Sequence, residues 1–244
     1  MILTFIGKGS CTNTELGNNS AYYKAGSSLL LFDCGCDVFS KLKKEIPIEG
    51  GILDGVKDVT ILITHMHDDH IGSLASLIFY LKFELGIEPN LVYPNEVELE
   101  TFLYAIGVRN SMYKFVPSNP ERTIGINTDS LYSLIMPIKT EHYKEMSCYG
   151  YYVIINGNRL YYSGDTRTIP NTAMGLLEND SLLEFYQDTS GRPVNSNEYY
   201  PHMQYGNLVD IIDESLRGKM YLMHQDLDFA ILKDIAIEDG FKVV

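Results

Sequence analysis

Residues 63–72 read ITHMHDDHIG, which places three histidines and two aspartates in the six positions from His65 to His70. The whole chain holds six histidines, so half of them fall in this one stretch. The run before it, DVTILITH, is short, apolar and β-branched, the pattern of a buried strand. A strand ending at Thr64 delivers His65 and His67 from its C-terminal end on a loop, where residues two apart can converge on one ion. Asp69 and His70 come immediately before a predicted helix, SLASLIFYLKFELG, with Gly86 as its stop. Their side chains are expected to point back across the same cavity. Imidazole nitrogens and a carboxylate are donors that zinc prefers, and iron or manganese also accepts them.

Outward from this stretch, strands and helices alternate. MILTFIG and SSLLLFDCG read as strands, followed by a helix over FSKLKKEI. LVYP is followed by a helix around NEVELETFLYAIG. LYSLIMPIKTEH reads as a strand leading to His142. YGYYVIINGNRLYYSGDT is two strands joined at Asn156-Gly157, the strongest short hairpin signal. SLLEFYQDTS predicts a strand, MQYGNLVDIIDESLRG a helix, KMYLMHQD a strand, then a helix near 228–238 and the strand FKVV. This pattern favours an α/β sandwich of two sheets flanked by helices over an open doubly wound sheet. No linker, repeat or low-complexity stretch divides residues 1–244, so one domain is expected.

The composition, 45% hydrophobic and 21% charged, is that of a globular protein. No apolar run approaches the roughly 20 residues needed to cross a bilayer, and MILTFIGKGS lacks the basic start of a signal peptide. Four cysteines without a CxxC pair predict reduced thiols and a cytoplasmic location. Cys34 and Cys36, with no second pair, do not build a tetrahedral zinc site. A net charge of −13 opposes a long nucleic acid as partner. It does not oppose a small anion held at a locally positive site.

His65-Met66-His67-Asp68-Asp69-His70 resembles the HxHxDH motif of the metallo-β-lactamase superfamily, and the rest of the chain supplies the other expected positions in order. They are His142 in IKTEHY, Asp165 in LYYSGDT and His224 in MYLMHQD. The resemblance therefore spans nearly the whole chain and implies the αββα fold. It also implies two metal ions, zinc or else manganese, the first held by His65, His67, His142 and Asp165. The second would be held by Asp69, His70, His224 and the shared Asp165. A shared carboxylate sets two cations roughly 3.5–4 Å apart, and a hydroxide held between them is the nucleophile such sites use. By the same resemblance Asp69 is a ligand that also accepts a proton from that water. Asp68, at the variable position, is expected to be an outer or solvated residue.

The last histidine, His202 in YYPHMQYG, resembles the phosphodiesterase branch that contains the tRNA 3′-processing endonucleases (tRNase Z). There a carboxylate after a late strand pairs with a histidine ahead of the next helix. Asp188 stands here where that branch usually carries glutamate, and Gln187 where it usually carries histidine. By this resemblance Asp188 orients His202, which assists departure of the leaving oxygen as a general acid. The endonucleases also carry a long basic arm that grips tRNA, and this chain has no such insertion.

The compact chain is similar to the cyclic-nucleotide phosphodiesterases of the superfamily, which include the anti-Pycsar enzymes. That likeness implies hydrolysis of 3′,5′-cyclic nucleotides, cyclic pyrimidine signals such as cCMP and cUMP among them, by a homodimer whose partner completes the active site. Alternatives on the same scaffold are a tRNase Z-like endoribonuclease, a thioesterase or lactonase, and a protein that only sequesters its ligand. Eighteen tyrosines suit an aromatic-walled pocket. Tyr199, Tyr200 and Tyr205 flank His202 and are the substrate-binding candidates; Tyr113, Tyr143 and Tyr149 also lie near the motifs.

Overall fold

A computed structural model of the chain describes residues 1–44, 51–179, 181–195 and 198–244. The first half forms β1 (Thr4–Gly7), β2 (Ser20–Ala25), β3 (Ser28–Phe32), α1 (Val38–Lys44), β4 (Asp58–Leu62), α2 (Asp68–Ile71), α3 (Leu74–Phe79), β5 (Asn90–Val92), α4 (Glu96–Ala105) and β6 (Lys114–Val116). These six strands make one sheet in sequence order, antiparallel from β1 to β3 and parallel from β3 to β6.

The second half forms β7 (Ile124–Asn127), β8 (Tyr132–Lys139), β9 (Tyr149–Ile155), β10 (Asn158–Tyr162), α5 (Asn171–Glu178), β11 (Glu184–Asp188), α6 (Tyr205–Ile211), α7 (Glu214–Arg217), β12 (Met220–Met223), α8 (Phe229–Glu238) and β13 (Lys242–Val243). Its seven strands also lie in sequence order, antiparallel from β7 to β10 and parallel from β10 to β13.

Side chains sort by the two-residue period of a strand. Leu30 and Phe32 of β3 face the second sheet, where they join Tyr151, Val153 and Ile155 of β9 and Tyr162 of β10. Leu29 and Leu31, on the other face, pack with Leu42 of α1, Leu74 and Leu77 of α3 and Leu99 of α4. Beyond the second sheet, Tyr161 and Phe185 meet Ala173 of α5, Leu208 of α6 and Ala236 of α8. Helices thus cover the outer face of each sheet and the two inner faces share one apolar layer. This is the αββα sandwich that the resemblance implies. Among the described residues, no helix is long and apolar enough to cross a membrane.

The expected Asn156-Gly157 turn joins β9 to β10, with φ of 47° and 87° at its two residues. That pair of positive φ values is what a type I′ hairpin needs. Several boundaries differ from expectation. The strand expected to reach Thr64 ends at Leu62, because the Thr64 backbone N–H leaves the sheet to donate to Asp33 Oδ1 at 2.8 Å. Asp69 and His70 lie inside the four-residue α2 rather than ahead of a helix. The helix expected over 73–86 begins as α3 and continues over Tyr80–Glu84 as a π-turn, with Gly86 at φ 70°.

The helix expected over 203–218 is two helices. Ile212 is extended at ψ 118°, and Asp213 caps the second by accepting from Ser215 N at 2.9 Å. The predicted FSKLKKEI helix begins at Val38, and its Glu45 and Ile46 lie outside the described residues. The short β2, β6, β7 and α5 were not signalled by their sequences. All four cysteines are free thiols.

Leu30 is fully buried between the sheets. Leu30→Ala should lower the free energy of unfolding by about 2–5 kcal/mol, through lost transfer energy and a residual cavity. Urea denaturation of the two proteins measures this.

Candidate metal centre

The parallel runs point the C-terminal ends of β3 and β4 the same way, and likewise those of β10, β11 and β12. β8 runs with β10, since both are antiparallel to β9. The chain just beyond these ends carries the candidate residues. His65 and His67 follow β4, and Asp69 and His70 are on α2. His142 follows β8, Asp165 follows β10, Asp188 ends β11 and His224 follows β12. Gly164, just before Asp165, has a φ of 57°, and a Cβ there would stand 2.7 Å from that of Thr64. The loop carrying Asp165 can approach the His65 loop only because this residue has no side chain.

The structure brings together His65, His67, His142 and Asp165, with one donor atom from each within 4.8 Å of the others. Asp69, His70, Asp165 and His224 meet in the same way, so Asp165 belongs to both groups. These are the two sets implied by the resemblance. The atoms fit divalent cations better than they fit one another. His67 Nδ1 lies 3.0 Å from His65 Nε2 and 3.1 Å from His142 Nε2, a crowd of imidazole nitrogens that protons alone cannot satisfy. His70 Nε2 and Asp165 Oδ1 are buried 3.2 Å apart, and neither makes a hydrogen bond. Divalent cations, one for each set, would accept these lone pairs.

The far nitrogens of the same rings are occupied, which leaves the near ones free to ligate. His142 Nδ1 donates to the Pro201 carbonyl at 2.9 Å, and His70 Nδ1 donates to Asp33 Oδ2 at 2.8 Å. His65 Nδ1 is 3.0 Å from Thr64 Oγ1, which itself donates to Asp33 Oδ2 at 2.8 Å. His224 Nδ1 lies 3.2 Å from Asp188 Oδ1. Asp33 is the functional residue that sequence reasoning missed. It is fully buried with φ 60°, and its one sequence signal is a charged residue closing the apolar strand SSLLLF.

The electrostatics agree with these roles. Burial, then the charge on His70, pushes the His65 imidazole well below its usual range, so the ring is neutral with a lone pair to give. Burial would raise Asp165, but the surrounding imidazoles, His224 first, hold its carboxyl well below the usual carboxylate range. His70 and His224 go the other way: burial opposes their charge, and the carboxylates, Asp165 foremost, overcome it and raise both. A bound cation would have to displace those protons.

His202 Nδ1 lies 2.8 Å from Asp188 Oδ2, so one buried carboxylate holds both His202 and His224. The pairing is made with an aspartate where the branch usually carries glutamate. Gln187 is buried in β11 and donates to the Asp188 carbonyl at 3.0 Å. Asp68 is exposed and accepts the Cys36 thiol at 2.8 Å.

Of the tyrosine candidates, two lie beside the cluster. Tyr199 is half exposed and its hydroxyl donates to the His142 carbonyl. Tyr200 sits edge-on to His202, with ring centroids 5.6 Å apart. Tyr205 does not line the site. It starts α6, packs against Phe229 and Phe241, and donates its hydroxyl to Asp239. Its place at the start of an amphipathic helix turned the ring into the core. Tyr149 is buried against Tyr93, and Tyr113 lies beside Tyr104 and Arg109, whereas Tyr143 is edge-on to both His67 and His142.

The family model for the anti-Pycsar protein Apyc1 matches residues 1–241. The chain belongs to this family. It is 28% identical over 254 residues to the anti-Pycsar protein Apyc1 of Bacillus phage 010DV004, covering 92% of this chain and 88% of that one. Among solved structures it resembles the metallo-β-lactamase fold protein YhfI of Bacillus subtilis, with TM-score 0.71 and 16% identity over 99% of this chain and 94% of the other. It also resembles a diphosphatase of the PhnP family, with TM-score 0.68 and 20% identity over 99% and 94%. Apyc1 family membership, the shared fold and the two ligand clusters make the chain a metal-dependent hydrolase.

Asp33→Asn removes the charge that holds His70 and, through Thr64, His65. The variant should bind divalent metal about 10–100-fold more weakly. Competition against a chromophoric chelator measures the shift.

Proposed function

We propose that the protein is a cytoplasmic phosphodiesterase that hydrolyses 3′,5′-cyclic nucleotides to nucleoside monophosphates at a pair of zinc ions. The observation that carries this reading is His202, fixed by Asp188 at 2.8 Å and outside the two ligand sets implied by the resemblance, while it meets Asp165, Asp188 and His224 in a third group within 4.8 Å. Membership of the anti-Pycsar family supports a nucleotide signal, with cyclic CMP and cyclic UMP as the first candidates. Residues 90–127 are built into β5, α4, β6 and β7 of the body, which fits a small substrate better than tRNA. The imidazole-rich donor set supports zinc, and free thiols suit a reducing compartment.

His65, His67, His142 and Asp165 would hold one cation, and Asp69, His70, His224 and Asp165 the other. Such a pair activates water near neutral pH and neutralises phosphate charge. The chain's own residues supply the rest. Burial disfavours charge on His202, but the Asp188 carboxylate and its hydrogen bond raise the imidazole above its usual value. That shift favours the form in which the ring carries both protons, with Nδ1–H donated to Asp188. That arrangement leaves Nε2–H as the donor for the departing ribose oxygen. Asp188 Oδ2 accepts from Thr166 N at 2.9 Å as well as from His202, so it holds the ring without being consumed. Tyr200 shields one side of His202.

A panel of cyclic mono- and dinucleotides, S-acyl glutathione and a lactone, assayed with zinc and with manganese, tests the substrate class. The reading predicts efficient turnover of cyclic mononucleotides only. His202→Ala should keep full metal content yet lose about 10²–10⁴-fold in turnover of a cyclic nucleotide. It should lose far less on a 4-nitrophenyl ester, whose leaving group needs no proton. In the wild type kcat should fall as pH rises through the elevated value of His202, because the acid form is lost. Equal losses on both substrates would remove His202 from the acid role.

A further inference from the structure

Arg167 stands two residues past the shared carboxylate, in the sequence GDTR. Its backbone N–H donates to the Glu141 carbonyl at 2.7 Å, which joins the loop after β10 to the loop that carries His142. The exposed guanidinium lies over the Tyr199 ring, 4.8 Å from the centroid. Tyr199 is in turn anchored by its hydroxyl to the His142 carbonyl. Next to His142 in sequence, Tyr143 stands edge-on to His67 and His142 with centroids 5.8 Å away in each case. Both rings are therefore positioned by metal ligands.

Between them lies a cavity of about 320 Å³ walled by His142, Tyr143, Met146, Arg167 and Tyr199. This is near the lower end of small-molecule pockets, and has room for one nucleoside unit. Arg167 also walls a smaller cavity of about 180 Å³ beside Tyr200 and His202. The guanidinium thus stands between the ligand side and the acid side of the cluster.

We propose that the larger cavity is the nucleobase subsite and that Arg167, seated on Tyr199, is the residue that positions the base. This rests on the cyclic-nucleotide reading above. A phosphodiester held at the clusters has its reacting phosphorus there, and its non-reacting part must lie alongside. The cavity that shares His142 with the first cluster is the adjoining space with aromatic walls. A base there meets the π-face of a tyrosine and a flat guanidinium that stacks as a ring does. Neither contact reads a particular hydrogen-bond pattern, since every base has a π-face. The subsite therefore selects for the presence of a base and tolerates its identity.

The test compares cyclic CMP and cyclic AMP with the abasic analogue 1-deoxyribose 3′,5′-cyclic phosphate on metal-loaded enzyme. Arg167→Ala should raise KM about tenfold or more for both nucleotides, with kcat kept within about twofold. KM for the abasic analogue should barely move. Arg167→Lys, which keeps the charge and loses the flat fork, should recover only part of the loss. Calorimetry with cytidine, which has a base and no phosphate, should show binding to wild type that Arg167→Ala weakens by the same factor. Equal KM shifts for nucleotides and the abasic ring would assign Arg167 to the phosphate and overturn the subsite, as would no shift at all. A wild-type enzyme inactive on all three probes would instead overturn the cyclic-nucleotide reading, and the subsite with it.

Discussion

One buried carboxylate sets the terms for the site. Asp165 has His70 at 3.2 Å, His224 at 3.4 Å, His142 at 3.7 Å and His65 at 3.8 Å from its oxygens. An isolated carboxylate in that interior would be too costly to keep charged, and so would a cluster of imidazoles that share no counter-ion. Together they are tolerable, and divalent cations held by these residues would complete the charge balance. The partners that follow, Asp33 behind His70 and Asp188 behind His224, repeat the same logic one layer further out.

This constraint explains why the sandwich has its form. His65, His67, Asp69 and His70 come from the first sheet's half, and His142, Asp165 and His224 from the second. No single sheet could present them all. The apolar layer of Leu30, Phe32, Tyr151, Val153 and Tyr162 holds the two carboxyl-terminal edges together, and Tyr151 adds its hydroxyl bonds to the Ile63 and Val92 carbonyls. A cation bound at the clusters would join the halves by coordination as well as by packing, so metal loading adds to the stability of the whole fold. His224, at φ 56°, and Asp33, at φ 60°, are held in backbone conformations that non-glycine residues rarely adopt. Strain at both places is consistent with side chains placed for a ligand rather than for the fold alone.

Much of this was legible in the chain, for physical reasons. The seven ligand positions carry chemistry that few residue types supply, at places where a strand ends, so their order alone outlined the αββα fold. The Asn156-Gly157 hairpin was readable because positive φ restricts which residues can sit there. Asp33 was not, since a lone aspartate after an apolar strand could cap a turn as well as hold an imidazole. Which of the two it does depends on His70, which is near only in the folded state. Tyr205 was misplaced for a related reason. Next to His202 in sequence, it looked like part of the loop, but as the first residue of α6 it turns away from the site. The break at Ile212–Asp213 was hidden because both residues fit a helical pattern, and burial of Ile212 in an extended conformation outweighs that propensity. Arg167 gave no sequence signal, because its partner Tyr199 is 32 positions away.

The central claim is that seven side chains from both halves surround two cations that share Asp165. Anomalous diffraction from crystals of the protein, measured on either side of the zinc edge, tests it directly. The account predicts two peaks, one among His65, His67, His142 and Asp165 and the other among Asp69, His70, His224 and Asp165. A single peak, or peaks without Asp165 between them, would contradict it.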